Sequence, residues 1–97
     1  MQIRFLEIAS QELDDAIAYY NNELAGLGDK FLAEVLNALE RVARYPKAWH
    51  PYTERTRRCL IKSFPYGVIY QIRDEEILVV AVANLHRKPE YWRGRHR

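Results

Sequence analysis

At 97 residues, 48% of them apolar, 29% charged and 12% aromatic, the chain has the composition of one ordinary globular domain, so a single hydrophobic core is expected and disorder is argued against. A single cysteine, Cys59, excludes an intrachain disulfide and a cysteine-rich metal cage, and no apolar run approaches the length of a membrane span. The formal net charge of +2 divides unevenly: residues 1–53 hold five Lys/Arg against eight Asp/Glu, a net of −3, and residues 54–97 hold ten against five, a net of +5.

Gln2-Ile3-Arg4-Phe5-Leu6 alternates polar and apolar side chains and predicts a half-buried strand. The opening residues lack the basic-then-apolar order of a signal peptide, so the cytoplasm is the expected compartment. Ser10 reads as the N-cap of a first helix, with Glu12, Asp14 and Asp15 favouring its amino end and Leu13, Ala16, Ile17, Tyr20 and Leu24 forming its apolar stripe. Gly26 and Gly28 interrupt it and predict a chain reversal. A second helix follows, with Phe31, Val35, Ala38, Leu39 and Val42 on its inner stripe, and it stops near Tyr45 because Pro46 restricts the residue before it. Neither helix can hide its apolar face alone, so an antiparallel hairpin lying on a sheet is expected.

Residues 46–56 read as a loop, in which Trp49 is either a plug at the edge of the core or a contact residue. Strand signals return at Arg57 to Phe64, break at Pro65, resume at Gly67 to Arg73 and turn over Asp74-Glu75. The last strand, Glu76 to Ala83, is the most apolar piece and reads as a central strand covered on both faces. The expected fold class is therefore α+β, a single domain over 1–97. An N-terminal strand, an antiparallel two-helix hairpin and a three-stranded antiparallel meander make a four-stranded sheet, and residues 84–97 form a basic, aromatic C-terminal segment. Cys59, within Arg58-Cys59-Leu60-Ile61, is expected to be a buried structural thiol.

No glycine-flanked serine elbow occurs, the Gly26-Leu27-Gly28 pair lies between helices and lacks a nucleotide-loop ending, and His50, His86 and His96 are too scattered for a zinc site. No metal and no cofactor are expected. Positive charge gathers at Arg55, Arg57, Arg58 and Lys62, and again at Arg87, Lys88, Arg93, Arg95 and Arg97, as suits an acidic partner or a phosphate backbone. His86, Arg87 and Tyr91 follow the central strand directly and hold the inventory for metal-free RNA cleavage: a group titrating near neutrality, a phosphate-binding fork and a stacking ring. The bland reading stands beside it, in which Tyr91 and Trp92 pack the tail onto the sheet and His86 caps a strand end.

The order of these pieces carries a resemblance. Leu27-Gly28-Asp29-Lys30-Phe31, Tyr45-Pro46, Phe64-Pro65-Tyr66, Ile69-Tyr70 and the closing run from Val82-Ala83-Asn84-Leu85-His86-Arg87 to Tyr91-Trp92 resemble the RelE/ParE superfamily along nearly the whole chain. The resemblance implies the toxin of a type II toxin-antitoxin pair, neutralised by a cognate antitoxin, with a toxin-antitoxin heterotetramer as a family expectation. It leaves two targets open. A ParE-like member binds DNA gyrase and traps it on cleaved DNA without chemistry of its own. A RelE-like member cleaves mRNA on the ribosome, and here would use His86, Arg87 and Tyr91 with Arg58 and Lys62. Arg55, Arg57, Arg93 and Arg95 would supply a basic binding surface. At Gly67 the chain departs from RelE-like toxins, which place a phosphate-contacting arginine there.

Overall fold

The computed structural model describes residues 1–88 and 90–95; Pro89, His96 and Arg97 of the expected basic tail lie outside the described residues. The first strand, β1 (Gln2–Phe5), is followed at once by α1 (Glu7–Glu23). The helix thus starts before Ser10, which is exposed and lies within it. The cause is the strand: the Leu6 N–H donates to the Val79 carbonyl, and Leu6, in extended conformation, caps the helix with no side-chain hydrogen bond. The stripe expected on α1 holds for buried Ala16 and half-buried Leu13, Ile17 and Tyr20. Leu24 falls just past the helix end and is exposed.

Gly26 takes a φ of 89°, a left-handed value that glycine adopts without steric cost, and caps α2 (Leu27–Arg44). All five residues assigned to the inner stripe of α2 are buried. Gly28 lies where the two helices meet. Its N–H donates to Asn21 Oδ1 at 2.7 Å, and a Cβ there would stand 2.6 Å from Asn21 Cγ and collide with the Ile17 carbonyl oxygen.

The sheet has the order β1-β4-β3-β2, with β2 (Arg57–Leu60), β3 (Tyr66–Arg73) and β4 (Glu76–Asn84) forming the expected antiparallel meander and β1 pairing parallel to β4. The sheet is therefore mixed, and β2 is shorter than its apolar pattern predicts. Lys62 to Phe64 turn instead of extending, with Ser63 at a φ of 68° and the Ile61 N–H on the Tyr66 carbonyl. Lys62 and Ser63 sit exposed in that turn.

Strand β4 is central and buried on both faces, as its β-branched run requires. A β-bulge divides it: Tyr70 pairs with Val79 and Ile69 with Ala81, so Val80 is the extra residue. Before the bulge Ile77 and Val79 face the helices; after it Val82 does. Leu78, Val80, Ala81 and Ala83 belong to a second cluster on the other face, together with Ile69 and Trp92. Trp92 is 2% exposed, so the tail is packed onto the sheet as the bland reading had it. Tyr66, Val68 and Tyr70 share the helix side, Trp49 packs half-buried against that core, and Cys59 is buried there with its thiol pushed up by desolvation. Among the described residues no helix is long and apolar enough to cross a membrane.

Two predictions follow from the packing. Gly28→Ala forces α1 and α2 apart and is expected to cost roughly 2–3 kcal/mol, read as a lowered denaturant midpoint at unchanged m-value. Tyr70, buried and donating to the Pro46 carbonyl at 2.7 Å, has its ionisation pushed up to about 12 chiefly by burial. The unfolded chain ionises the same phenol near 10, so between those values the unfolded state holds fewer protons and stability falls as pH rises. Denaturant titrations across that window on the parent and Tyr70→Phe check it: the parent loses stability where the variant stays flatter.

Candidate functional site

Beyond β4 the chain turns sharply and folds back. Asn84 organises the turn: its side-chain Oδ1 accepts the His86 N–H at 2.9 Å and its carbonyl accepts the Arg87 N–H at 3.2 Å, while the Leu85 N–H reaches the Pro65 carbonyl at 2.8 Å. Trp92 then inserts beneath the sheet, its ring 5.9 Å from that of Tyr52. A 3₁₀ turn at Arg93–Arg95 closes the described segment.

Glu12 of α1 secures this arrangement. Strand β1 ends at Phe5, opposite Val79, so the following part of β4 has no strand beside it on that edge. The Glu12 carboxylate serves there instead, accepting the Val82 N–H at 3.1 Å on Oε1. The same carboxylate accepts the Tyr91 hydroxyl at 2.7 Å and is gripped by both terminal nitrogens of Arg95, at 2.8 and 3.0 Å. Arg95 also donates to the carbonyl of Val80, the bulge residue, at 3.3 Å. The carboxylate and the guanidinium are only 15% and 16% exposed, so their geometry is of the forked, partly desolvated kind in which an ion pair is strong.

Tyr91 is half-buried between two cations, with the Arg87 guanidinium 3.8 Å from its ring centre and that of Arg95 at 5.1 Å. Burial first, and then the hydrogen bond to Glu12, push its ionisation well above the ordinary phenol value. Its hydroxyl is a neutral donor committed to Glu12, far from the acidity that proton transfer near neutrality favours.

On the tail side of the sheet a recess of about 160 Å³ is lined by Arg58, Arg87, Lys88, Tyr52, Tyr91 and Trp92, among others. The Arg58 guanidinium lies 4.3 Å from the Tyr52 ring centre. Its side chain runs across Gly67, where a Cβ would stand 3.1 Å from Arg58 Cγ. The room left beside Gly67 on β3 is thus taken by a side chain from β2. Of the residues assigned to RNA cleavage, the fold brings Arg58, Arg87 and Tyr91 to this recess. His86 is exposed in the turn and outside the recess lining, and Lys62 sits at the β2-β3 turn.

The four residues assigned to a basic surface are in unequal settings. Arg55 and Arg93 are exposed, Arg93 pairing with Glu90 at 3.0 Å. Arg57 is half-buried and holds the preceding loop by donating to the Trp49 and Lys47 carbonyls. Arg95 is engaged by Glu12, as above. Sequence reasoning gave Glu12 only a helix-end role. The available signal was its spacing, three residues after Ala9 and four before Ala16, which sets an acid in the inner stripe of α1.

Comparison with known proteins places this geometry. The family model described as the ParE toxin of the type II toxin-antitoxin system parDE matches residues 3–91. A solved structure described as the chromosomal ParDE toxin-antitoxin system from P. aeruginosa superposes with a TM-score of 0.77, covering 89% of this chain and 97% of that one at 13% identity. At that identity the likeness is one of fold. No curated protein matches the chain by sequence.

Glu12→Gln leaves Arg95 partly buried without a counter-charge, and the expected cost is roughly 2–3 kcal/mol, discounted for the residual solvent contact. Denaturant unfolding followed by tryptophan fluorescence in a Trp49→Phe background, where Trp92 is the remaining fluorophore, checks both the loss and the loosening of the tail.

Proposed function

We propose, on the premise that the chain belongs to the ParE toxin family of type II toxin-antitoxin systems, that it arrests growth by binding DNA gyrase and performs no chemistry of its own. As the toxin component it has a cognate antitoxin as its partner. The observation that carries the gyrase reading is the engagement of Tyr91 at both ends: its hydroxyl is held by Glu12 and the Arg87 guanidinium lies 3.8 Å from its ring centre. A nuclease that stacks a base on this ring needs an open face. Two further points support the same reading. Gly67 supplies no guanidinium of its own, and His86 lies outside the recess that holds Arg58 and Arg87. Losing a transition-state donor of this kind typically removes about 3 kcal/mol of stabilisation.

The runner-up is a ribosome-dependent mRNA endoribonuclease, and one observation favours it: Arg58, seated on Tyr52, faces the same recess as Arg87 and could take the part of the missing arginine. In either case the antitoxin is proposed to cover the helical hairpin, where Tyr19, Leu24, Leu36 and Tyr45 are 55–64% exposed, an apolar display suited to a protein partner. A toxin-antitoxin heterotetramer is the assembly this reading implies, and the cytoplasm is its compartment.

Paired cell-free assays on the purified chain decide the target. Inhibited supercoiling with trapped cleaved DNA, intact messages and full potency of His86→Ala are the expected results. Ribosome-dependent mRNA cuts lost in His86→Ala or Arg58→Ala, without inhibition of gyrase, would establish the nuclease instead.

A further inference from the structure

Two adjoining recesses run along the β2 side of the sheet, away from the site described above. The first, of about 390 Å³, is lined by Arg55, Arg57 and Arg73 with Thr53, Thr56 and Gln71. The second, of about 290 Å³, shares Thr53, Glu54 and Arg55 with it and adds Arg93. Their origin is the unequal length of two strands: β2 begins at Arg57, opposite Tyr70, while β3 continues through Gln71, Ile72 and Arg73 with no strand on that edge. The loop before β2 forms the outer wall. It is held by the Thr53 and Thr56 hydroxyls at 2.7 Å from each other and by the Tyr52 N–H on the Thr56 carbonyl at 2.7 Å.

Four arginine residues contribute to the lining of these adjoining recesses, and Glu54 is the one acid among their described lining residues. Two of the four are fixed from behind. Arg57 donates to backbone carbonyls of the loop, and Arg73 Nε donates to Gln71 Oε1 at 2.7 Å. Arg55 is exposed, and the Arg93 side chain keeps 65% of its exposure despite its surface pair with Glu90.

The lining also selects between kinds of acidic partner. A protein interface is built around apolar and aromatic anchors, yet the large exposed apolar residues all lie elsewhere, chiefly on and beside the helices. A duplex backbone asks for a polar, strongly positive surface, and the arginine fork matches phosphate oxygens. Tyr70, the aromatic residue in the lining, is fully buried with its hydroxyl on Pro46, so no ring is offered for stacking an unpaired base. We infer that this edge is a track for the phosphate backbone of duplex DNA. The preference for DNA over RNA rests on the gyrase reading; the anionic duplex does not.

The test is fluorescence anisotropy of short labelled DNA duplexes of two unrelated sequences, titrated with the full chain between about 50 and 200 mM salt. The expected result is steeply salt-dependent binding, similar for both sequences. Arg55→Gln with Arg93→Gln should lower the slope of log affinity against log salt by about two, roughly 0.9 for each arginine, and Arg55→Gln alone by about one. Arg4→Gln with Arg44→Gln removes equal charge from β1, at the opposite edge, and from the end of α2, and should retain the parent slope. Failure to bind at about 50 mM salt, an equal slope loss in the Arg4/Arg44 variant, or easier displacement of the label by poly-glutamate than by unlabelled duplex would each overturn the track. An equivalent RNA duplex that binds more tightly would overturn the choice of DNA. Supercoiling assays on the same proteins separate the two ideas. Gyrase inhibition without DNA binding sinks the track alone, and DNA binding without gyrase inhibition supports the track while removing the gyrase reading.

Discussion

A strand that stops short leaves backbone groups of its neighbour without a partner, and burying them unpaired is costly. In this fold β1 ends at Phe5 while β4 continues to Asn84, and the gap is filled by side chains. Glu12 receives the Val82 N–H and Arg95 donates to the Val80 carbonyl. A charged pair is tolerated here because the carboxylate has three kinds of donor and the guanidinium is forked onto it. Three separated stretches of chain, the first helix, the last strand and the tail, are thereby referred to one carboxyl group. The position of Tyr91, the seating of Arg87 on its ring and the docking of Trp92 all depend on that closure.

The elements that bury apolar surface on a regular period were legible in the sequence. Strand β4 announced itself through an unbroken β-branched run, and α2 through a stripe whose every residue is buried. What escaped were features set by tertiary hydrogen bonds. The first helix starts at Glu7 because Leu6 is pinned to Val79, an event with no local signature, whereas Ser10 offered a conventional cap that the chain does not use. The short β2 escaped for a similar reason, since Ile61 and Phe64 are apolar enough to extend a strand pattern but turn to meet the core. The bulge at Val80 was hidden because a strand apolar on both faces has no alternation to interrupt.

In the segment after β4 the sequence shows which side-chain types are present, but not what each of them holds. Tyr91 reads there either as a stacking ring or as a residue packing the tail, and Arg95 as a surface cation; the fold uses both to hold the tail against Glu12. Side-chain inventory reports which groups are present, while the partner that claims each one is fixed by residues some eighty positions away, as the separations of Tyr91 and Arg95 from Glu12 show. Arg55 and Arg93, in contrast, remain outward as a surface reading has them, and they border the β2 edge.

Gly67 and Arg58 occupy a single volume between two strands. The missing Cβ of one leaves room for the stem of the other, and Tyr52 supplies the seat for its head. A side chain on β3 at this point would press against the present course of Arg58, since its Cβ alone would stand 3.1 Å from Arg58 Cγ. Beside Arg87 and Lys88, the recess beneath the sheet takes a further cation from a neighbouring strand. In this chain β2 supplies it, so the charge enters from the edge of the sheet and not from its middle, held over the ring of Tyr52.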